Sequence, residues 1–533
     1  MSAHRTKTRR SWAILRLCAG AIGLFAALGA SRALGAIGPS GPTGAPAAAP
    51  AFRPLLGDLS RAGRARDAIT EMDLPAATKI LEGADLADGA LAVEEARLLL
   101  FKGDYDASDA LLRRPDLSAT EEGAELGYIA LGCARGMAAT VQVSDAERGI
   151  DVRLQDDEDR ALVPLLAEVA GAVRAQLLKD LGVELPRPLR IDLVRDQFTL
   201  AAMTGLPEEA ARTTGTVAVA KWGRVTMVSP RATSRGYPWL DTLAHEMTHL
   251  ALSRGTRDRA PLWLQEGVAK REETRWRPPQ PLDDMPPIDA VAFAGMEKGL
   301  GRPIDKLGPS IAMLPTPEQA AVAFAEVQSF IRYWTKEVGD EGLPQLVLRL
   351  RDARTEADVD RAIQEVSGVD FASWDKKWRA YLAATPHDLP PELAPGANVP
   401  HVQEVVKRVR LGQLLDARGH HDGAAIELSR AQTLVPADAS IRCYLGAALL
   451  GKGDREGAAP WVEKPEDIHG HFGRWWSLRG LLHPDKDAAR SFSLGISLDP
   501  LDPSVACEEK ARPDLPADPA RAALCEAARR APQ

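Results

Sequence analysis

Cysteine is scarce in this chain, five residues among 533, and Cys133, Cys443, Cys507 and Cys525 form no CxxC pair. That absence excludes a cysteine zinc site and a thioredoxin-like redox motif. An excess of positive charge is missing too. The 66 Lys and Arg face 74 Asp and Glu, a formal net charge of −8, so no nucleic acid and no anionic membrane surface is favoured as a partner. No long hydrophobic run occurs either: the apolar stretch from about Cys18 to Leu28 is too short, and too rich in Ala and Gly, to read as a membrane span. What is present is a globular balance, 45% hydrophobic and 26% charged residues. The length calls for roughly three to four folding units.

The Cys18–Leu28 stretch follows a basic head (His4, Arg5, Lys7, Arg9, Arg10). It precedes small residues at Ala27-Leu28-Gly29 and Ala33-Leu34-Gly35, the layout of an export signal. Residues 1–36 are therefore predicted to be a signal peptide, and the mature chain periplasmic or extracellular. A membrane contact arises only if that segment is retained as an anchor. Gly38 to Pro50 is nearly all Gly, Pro, Ala and Ser, a composition that buries no core, so 37–56 reads as a linker. In an oxidising compartment Cys507 and Cys525 can pair, but their spacing leaves a bridge and two free thiols equally open.

Internal repeats come next. Leu411-Gly412 recurs as Leu445-Gly446, and Gly419 with Ala424-Ala425 recurs as Gly453 with Ala458-Ala459, both at an offset of 34. That is the period of tetratricopeptide (TPR) helix–turn–helix units, which offer concave surfaces to protein partners. A degenerate third unit opens near Gly480 and closes at Leu498-Asp499-Pro500, so 401–505 is predicted to be a TPR array. Gly103-Asp104-Tyr105-Asp106-Ala107 echoes the same turn, predicting a shorter helical TPR-like array over 57–137. A Pro-rich linker (386–400) and a C-terminal tail (506–533) complete the division.

Between the arrays the period changes. Val141 and Val143, then Ile150, Val152 and Leu154, alternate around Asp145–Gly149 as a hairpin. Leu162 to Leu177 follows a helical period up to Gly182. Leu189, Ile191 and Leu193 make a further strand, and Val217–Met227 a second hairpin. The region from there to about Leu382 reads as wholly helical. The fold class predicted is multidomain and mainly α, with a central α+β unit over 138–385.

That unit carries the chemistry. His245-Glu246-Met247-Thr248-His249 is an HExxH sequence. On a helix, residues four apart lie about 40° apart around the axis, so both imidazoles can reach one ion. Glu246, about 100° round from His245, stands beside that ion as a proton acceptor for its bound water. Leu240, Leu243, Met247 and Leu250 form the opposite stripe, which predicts a buried side and a histidine side facing a cleft. A third ligand is sought beyond the Gly/Arg/Asp-rich stretch 254–261. Glu266 lies in an apolar context, and Glu272, Glu273 and Asp258 compete with it.

His245–Leu250 (HEMTHL) followed by Pro261–Ala269 (PLWLQEGVA) resembles the gluzincin metallopeptidases, most closely their peptidase MA-like domains, over roughly 138–385. The resemblance implies Zn2+ held by His245, His249 and Glu266, with Glu246 as general base in the hydrolysis of a peptide or protein substrate. It also implies an edge strand within Gly215–Pro230, and the strand near Val225–Val228 is expected to pair with an extended peptide. One position departs from the family: where such domains often place a Tyr that steadies the oxyanion, this sequence has Phe324. Tyr237 and Tyr333 are candidate substitutes. The reading is an exported zinc metallopeptidase between two TPR-like arrays. Its alternative is a TPR scaffold whose peptidase-like domain binds zinc or peptide without cleaving.

Overall fold

The computed structural model describes residues 52–530, apart from residues 209, 212–214, 234–235, 281–282, 284–285, 390–393, 397–400, 437, 464–471, 483–487 and 508–518. The predicted signal peptide 1–36 and most of the linker 37–56 lie outside the described residues. The architecture is mostly helical with one small mixed sheet.

The first helices start where a short polar side chain satisfies free N–H groups. Asp58, Asp73, Asp88 and Asp104 cap α1 (Leu59–Thr70), α2 (Leu74–Leu81), α3 (Gly89–Lys102) and α4 (Tyr105–Leu112). A short α5 (Pro115–Ser118) leads to α6 (Glu121–Gly136), capped by Thr120. Residues 52–56, expected to belong to the linker, are bound to these helices. Arg53 N–H donates to Ala119 O at 2.9 Å, and Ala90 N–H donates to Leu56 O at 3.0 Å.

Both predicted hairpins form. β1 (Val141–Asp145) pairs antiparallel with β2 (Ile150–Leu154), and β4 (Ala218–Lys221) pairs antiparallel with β5 (Arg224–Val228). β3 (Leu189–Val194) lies parallel to both β2 and β5, giving the order β1-β2-β3-β5-β4. The crossover from β2 to β3 is α7 (Val163–Leu181), and α8 (Gln197–Thr204) follows β3. Alternation along the strands divides the sheet between two cores. Ile191, Leu193, Val225 and Met227 pack with α7 and the central helices, whereas Val194, Val219 and Val228 pack with α3, α4, α6 and α8.

The second face also carries a buried polar lock. Arg224, with 0% exposure, pairs through Nε with Asp192 Oδ2 at 2.9 Å. The Tyr105 hydroxyl of α4 donates to the same oxygen at 2.9 Å and accepts from Arg190 Nη2 at 2.8 Å. The guanidinium of Arg224 further reaches Cys133 Sγ at 2.8 Å and Met203 O at 3.3 Å. The N-terminal helices are thus fastened to the sheet by charge as well as by apolar contact.

Downstream the chain is helical among the described residues, as predicted: α9 (Trp239–Thr256), α10 (Leu262–Glu272), α11 (Ile288–Glu297), α12 (Pro317–Val338), α13 (Gly342–Leu350), α14 (Glu356–Ser367) and α15 (Phe371–Ala384). Beyond it come α16 (Val402–Asp416), α17 (His421–Leu434), α18 (Ala439–Gly451) and α19 (Arg455–Ala458), then α20 (Gly473–Leu482), α21 (Ala488–Leu498), α22 (Pro503–Ala506) and α23 (Pro519–Arg530). Gly419 and Gly453, 34 residues apart, turn α16 into α17 and α18 into α19 with left-handed φ of 77° and 89°. A side chain at either position would cost about 1 kcal/mol.

The segment 506–533, expected to be a tail, behaves differently. Cys507 and Cys525 are bridged by a disulfide. Leu524, Cys525, Ala527 and Ala528 of α23 are buried in the same core as α7 and α9. Small side chains let this helix lie close to the 3-10 turn Asp157–Leu162, which an Ala/Arg-rich sequence does not advertise. The end of α21 also meets the central unit directly: Tyr237 N–H donates to Leu498 O at 2.9 Å, just before α9.

Candidate metal centre

The HExxH segment lies in the middle of α9. The helix ends at Arg257, whose left-handed φ of 56° begins the reversal, and the Thr256 hydroxyl accepts from Arg259 and Ala260 N–H there. The chain then enters α10 alongside α9. Gly267, directly after Glu266, lets α10 approach α12 on its other side: a Cβ there would stand 2.5 Å from Ile331 Cγ1 and 2.7 Å from Val327 O of α12. Trp263 of α10 packs on Phe330 and Phe371 at 5.4 and 4.9 Å, which fixes the rotation of the helix.

This places His245, His249 and Glu266 together, each ligand atom within 4.8 Å of the others. The Glu266 Oε2 atom is 3.6 Å from both His245 Nε2 and His249 Nε2. Three tetrahedral ligands about 2.0–2.1 Å from one ion stand about 3.4 Å apart; the two 3.6 Å separations match this, and the set fits a metal once its widest separation, up to 4.8 Å, closes. The exposures are 0%, 1% and 0%. His249 Nε2 has no hydrogen-bond partner among the described residues, an arrangement a buried imidazole sustains poorly unless something else occupies that lone pair.

The opposite ring nitrogens are engaged. His245 Nδ1 lies 3.1 Å from Glu273 Oε2, and His249 Nδ1 lies 3.1 Å from Gln265 Oε1. Acceptors at Nδ1 require the proton there and turn the Nε2 lone pair of each ring towards Glu266. Burial holds both histidines neutral, as metal ligation requires: His245 falls well below its usual value, and His249 is pushed down to about 4. Glu246 is buried beside them. Burial and the neighbouring Glu266 carboxylate push it well above its usual range, and the Ala220 backbone N–H of β4 opposes that shift.

The other candidates fall elsewhere. Glu273, weighed as a ligand, instead faces the far side of the His245 ring. Glu272 joins Arg271, Arg275 and Asp180, where burial pushes its carboxyl up to about 8. Asp258 belongs to the reversal after α9. Phe324 is buried on α12 against Lys270, whose Nζ is 5.9 Å from the ring centre. The Tyr237 hydroxyl is spent on Val228 O, and Tyr333 stacks on Tyr381 at 5.0 Å on the outer side of α12.

Two expectations need correction. The histidine face of α9 is not open, because α10 and β4 cover it, so Trp239, Leu240 and every residue from Thr242 to Leu252 are buried. The strand Val225–Val228 is not an edge. It is β5, paired on both sides by β3 and β4, and the outer position belongs to β4. Gln265 and Lys270 were not singled out from sequence. Their only signal was position, immediately before Glu266 and one turn after it. Neither a comparison with known protein-family models nor one with curated proteins finds a match to this chain.

Proposed function

We propose that the chain is an exported zinc metallopeptidase in which His245, His249 and Glu266 hold the ion and Glu246 is the general base. The observation that carries this reading is the buried His-His-Glu cluster on two packed helices, with Glu246 beside it and both outer ring nitrogens engaged. When bound, zinc supplies a Lewis acid for the scissile carbonyl and acidifies a water. The chain's own residues do the rest. Glu273 and Gln265 hold the rings at the tautomer that leaves Nε2 available. With a cation beside it to offset the burial and the Glu266 charge that raise its pKa, the Glu246 carboxylate would accept the proton of the attacking water and return it to the leaving amine nitrogen. β4, the outer strand nearest Glu246, lays an extended peptide across the site by backbone pairing.

The central α+β unit is read as a gluzincin-type domain, and the flanking helices as TPR-like arrays that receive a protein partner or substrate. The Cys507–Cys525 disulfide supports export, since such bonds persist in oxidising compartments.

A second reading has its own observation. The trio is enclosed, and among the described residues the Tyr237 hydroxyl is held by Val228 O while Tyr333 stacks on Tyr381, which favours a TPR scaffold whose metal-binding domain does not cleave. One experiment separates them: metal content and turnover of casein or a peptide library for wild type and Glu246→Gln side by side. The peptidase reading expects about one zinc per chain in both proteins, with turnover only in the wild type. Zinc without turnover in the wild type selects the scaffold, and absence of zinc after supplementation refutes both.

A further inference from the structure

The two histidines are not held alike. His249 faces a neutral carboxamide, Gln265 Oε1, whereas His245 faces a carboxylate that is itself gripped by a cation. Lys270 Nζ lies 3.0 Å from Glu273 Oε1 and 2.9 Å from Glu273 Oε2, and that second oxygen is the one 3.1 Å from His245 Nδ1. Glu266, Lys270 and Glu273 stand at i, i+4 and i+7 on α10 and its C-cap, within about 40° of one face. A single helix therefore presents a ligand and the support of another ligand to the same neighbour.

We propose that Lys270 is a positioning residue of the metal centre. By clamping both oxygens of Glu273 it fixes the carboxylate against His245 Nδ1, and so fixes the direction of the His245 lone pair. The inference rests on the metal-site reading above. Three features set the clamp apart from an ordinary surface pair. Lys270 is only 10% exposed along its side chain, and its ammonium packs against the Phe324 ring, so water replaces it poorly. Both Glu273 oxygens are engaged, which removes the freedom of the carboxylate to rotate. A second nearby cation is already committed: Arg277 pairs with Asp241 at 2.6 Å and Asp283 at 2.8 Å. Without Lys270, Glu273 would keep only the opposing influences of Asp241 and Arg277, neither of which holds both of its oxygens.

The test compares wild type, Lys270→Met, Lys270→Arg, Glu273→Gln and the double variant Lys270→Met/Glu273→Gln. Two readouts are used: zinc affinity by competition with a chromophoric chelator, and the visible absorption of the Co2+-substituted protein. Lys270→Met should weaken zinc binding about 10–100-fold, the usual effect of losing support behind a ligand. It should also alter the Co2+ bands, while Lys270→Arg restores both to within about threefold. Glu273→Gln should lose a similar amount, and the double variant no more than either single change, because the two residues act through one ring. The melting temperature of the metal-free variants controls for folding, and an affinity loss that follows a lower metal-free melting temperature overturns the proposal. Lys270→Met binding zinc as tightly as wild type, or strictly additive losses, also overturns it without touching the metal-site reading. A wild type that takes up no metal refutes both.

Discussion

Replacing Asp192 by Asn tests the joint between the N-terminal helices and the sheet. Asp192 is 1% exposed and Arg224 0%, and their 2.9 Å pair is the only ion pair of Arg224 among the described residues. In Asp192→Asn the guanidinium keeps two neutral acceptors, Cys133 Sγ and Met203 O. It loses its counter-charge at a position with 0% exposure. Breaking one side of a buried pair costs about 3–5 kcal/mol, because the surviving charge is left uncompensated. That is about two to four orders of magnitude in the folding equilibrium. Tyr105→Phe removes the hydroxyl shared by Asp192 and Arg190 and should cost about 1.5–3 kcal/mol. Both changes act at one carboxylate oxygen, so the double variant should fall short of the sum by about 1 kcal/mol. Urea titration gives these values, and limited proteolysis around residues 103–105 should become faster in step. An Asp192→Asn penalty under 1 kcal/mol, or strict additivity, would refute the view that this network fastens the two layers.

Three further outcomes follow. Gly267→Ala forces a Cβ against Ile331 and the Val327 carbonyl, so it should destabilise by about 1–3 kcal/mol and weaken zinc binding by moving Glu266; unchanged chelator competition contradicts this. Reducing Cys507–Cys525, or Cys525→Ser, opens a link spanning 18 residues and should cost about 3 kcal/mol. Alkylation before and after reduction counts the thiols, and unchanged melting counts against the link. Burial pushes the Glu326 carboxyl up to about 7 from its ordinary 4.5. The folded chain therefore holds a proton that the unfolded chain releases between those values, and stability falls as pH rises through that window. Glu326→Gln should match wild type near about pH 4 and exceed it by about 3 kcal/mol near about pH 9; a pH-independent difference in urea midpoint refutes the assignment.

The centre of the site was legible because its requirements are local. A helix of any context brings residues 245 and 249 to one side, and the apolar setting of Glu266 marked it as a residue held still. What lay around it depended on packing. The apolar stripe of α9 predicted an open histidine face, but a helix crossed by both α10 and β4 is covered all round. Strand alternation located β4 and β5, yet hydrophobicity could not tell which was outermost, since both are buried on both faces. Glu273 drew notice for its charge and was weighed as a ligand, because spacing alone does not say which imidazole nitrogen a carboxylate will meet. The lock of Tyr105, Asp192 and Arg224 joins residues 87 and 32 positions apart, which no periodicity connects. Helix α23 escaped notice because its apolar face is mostly alanine.

That last helix bears on timing. A chain made from its amino end presents α7 and α9 long before Leu524, Ala527 and Ala528 arrive to close the core beside Asp157–Leu162. Until then α9, which carries both histidines, and α7 beside it rest on an unfinished wall. Helix α23 thus acts as a keystone of the core on which α9 rests.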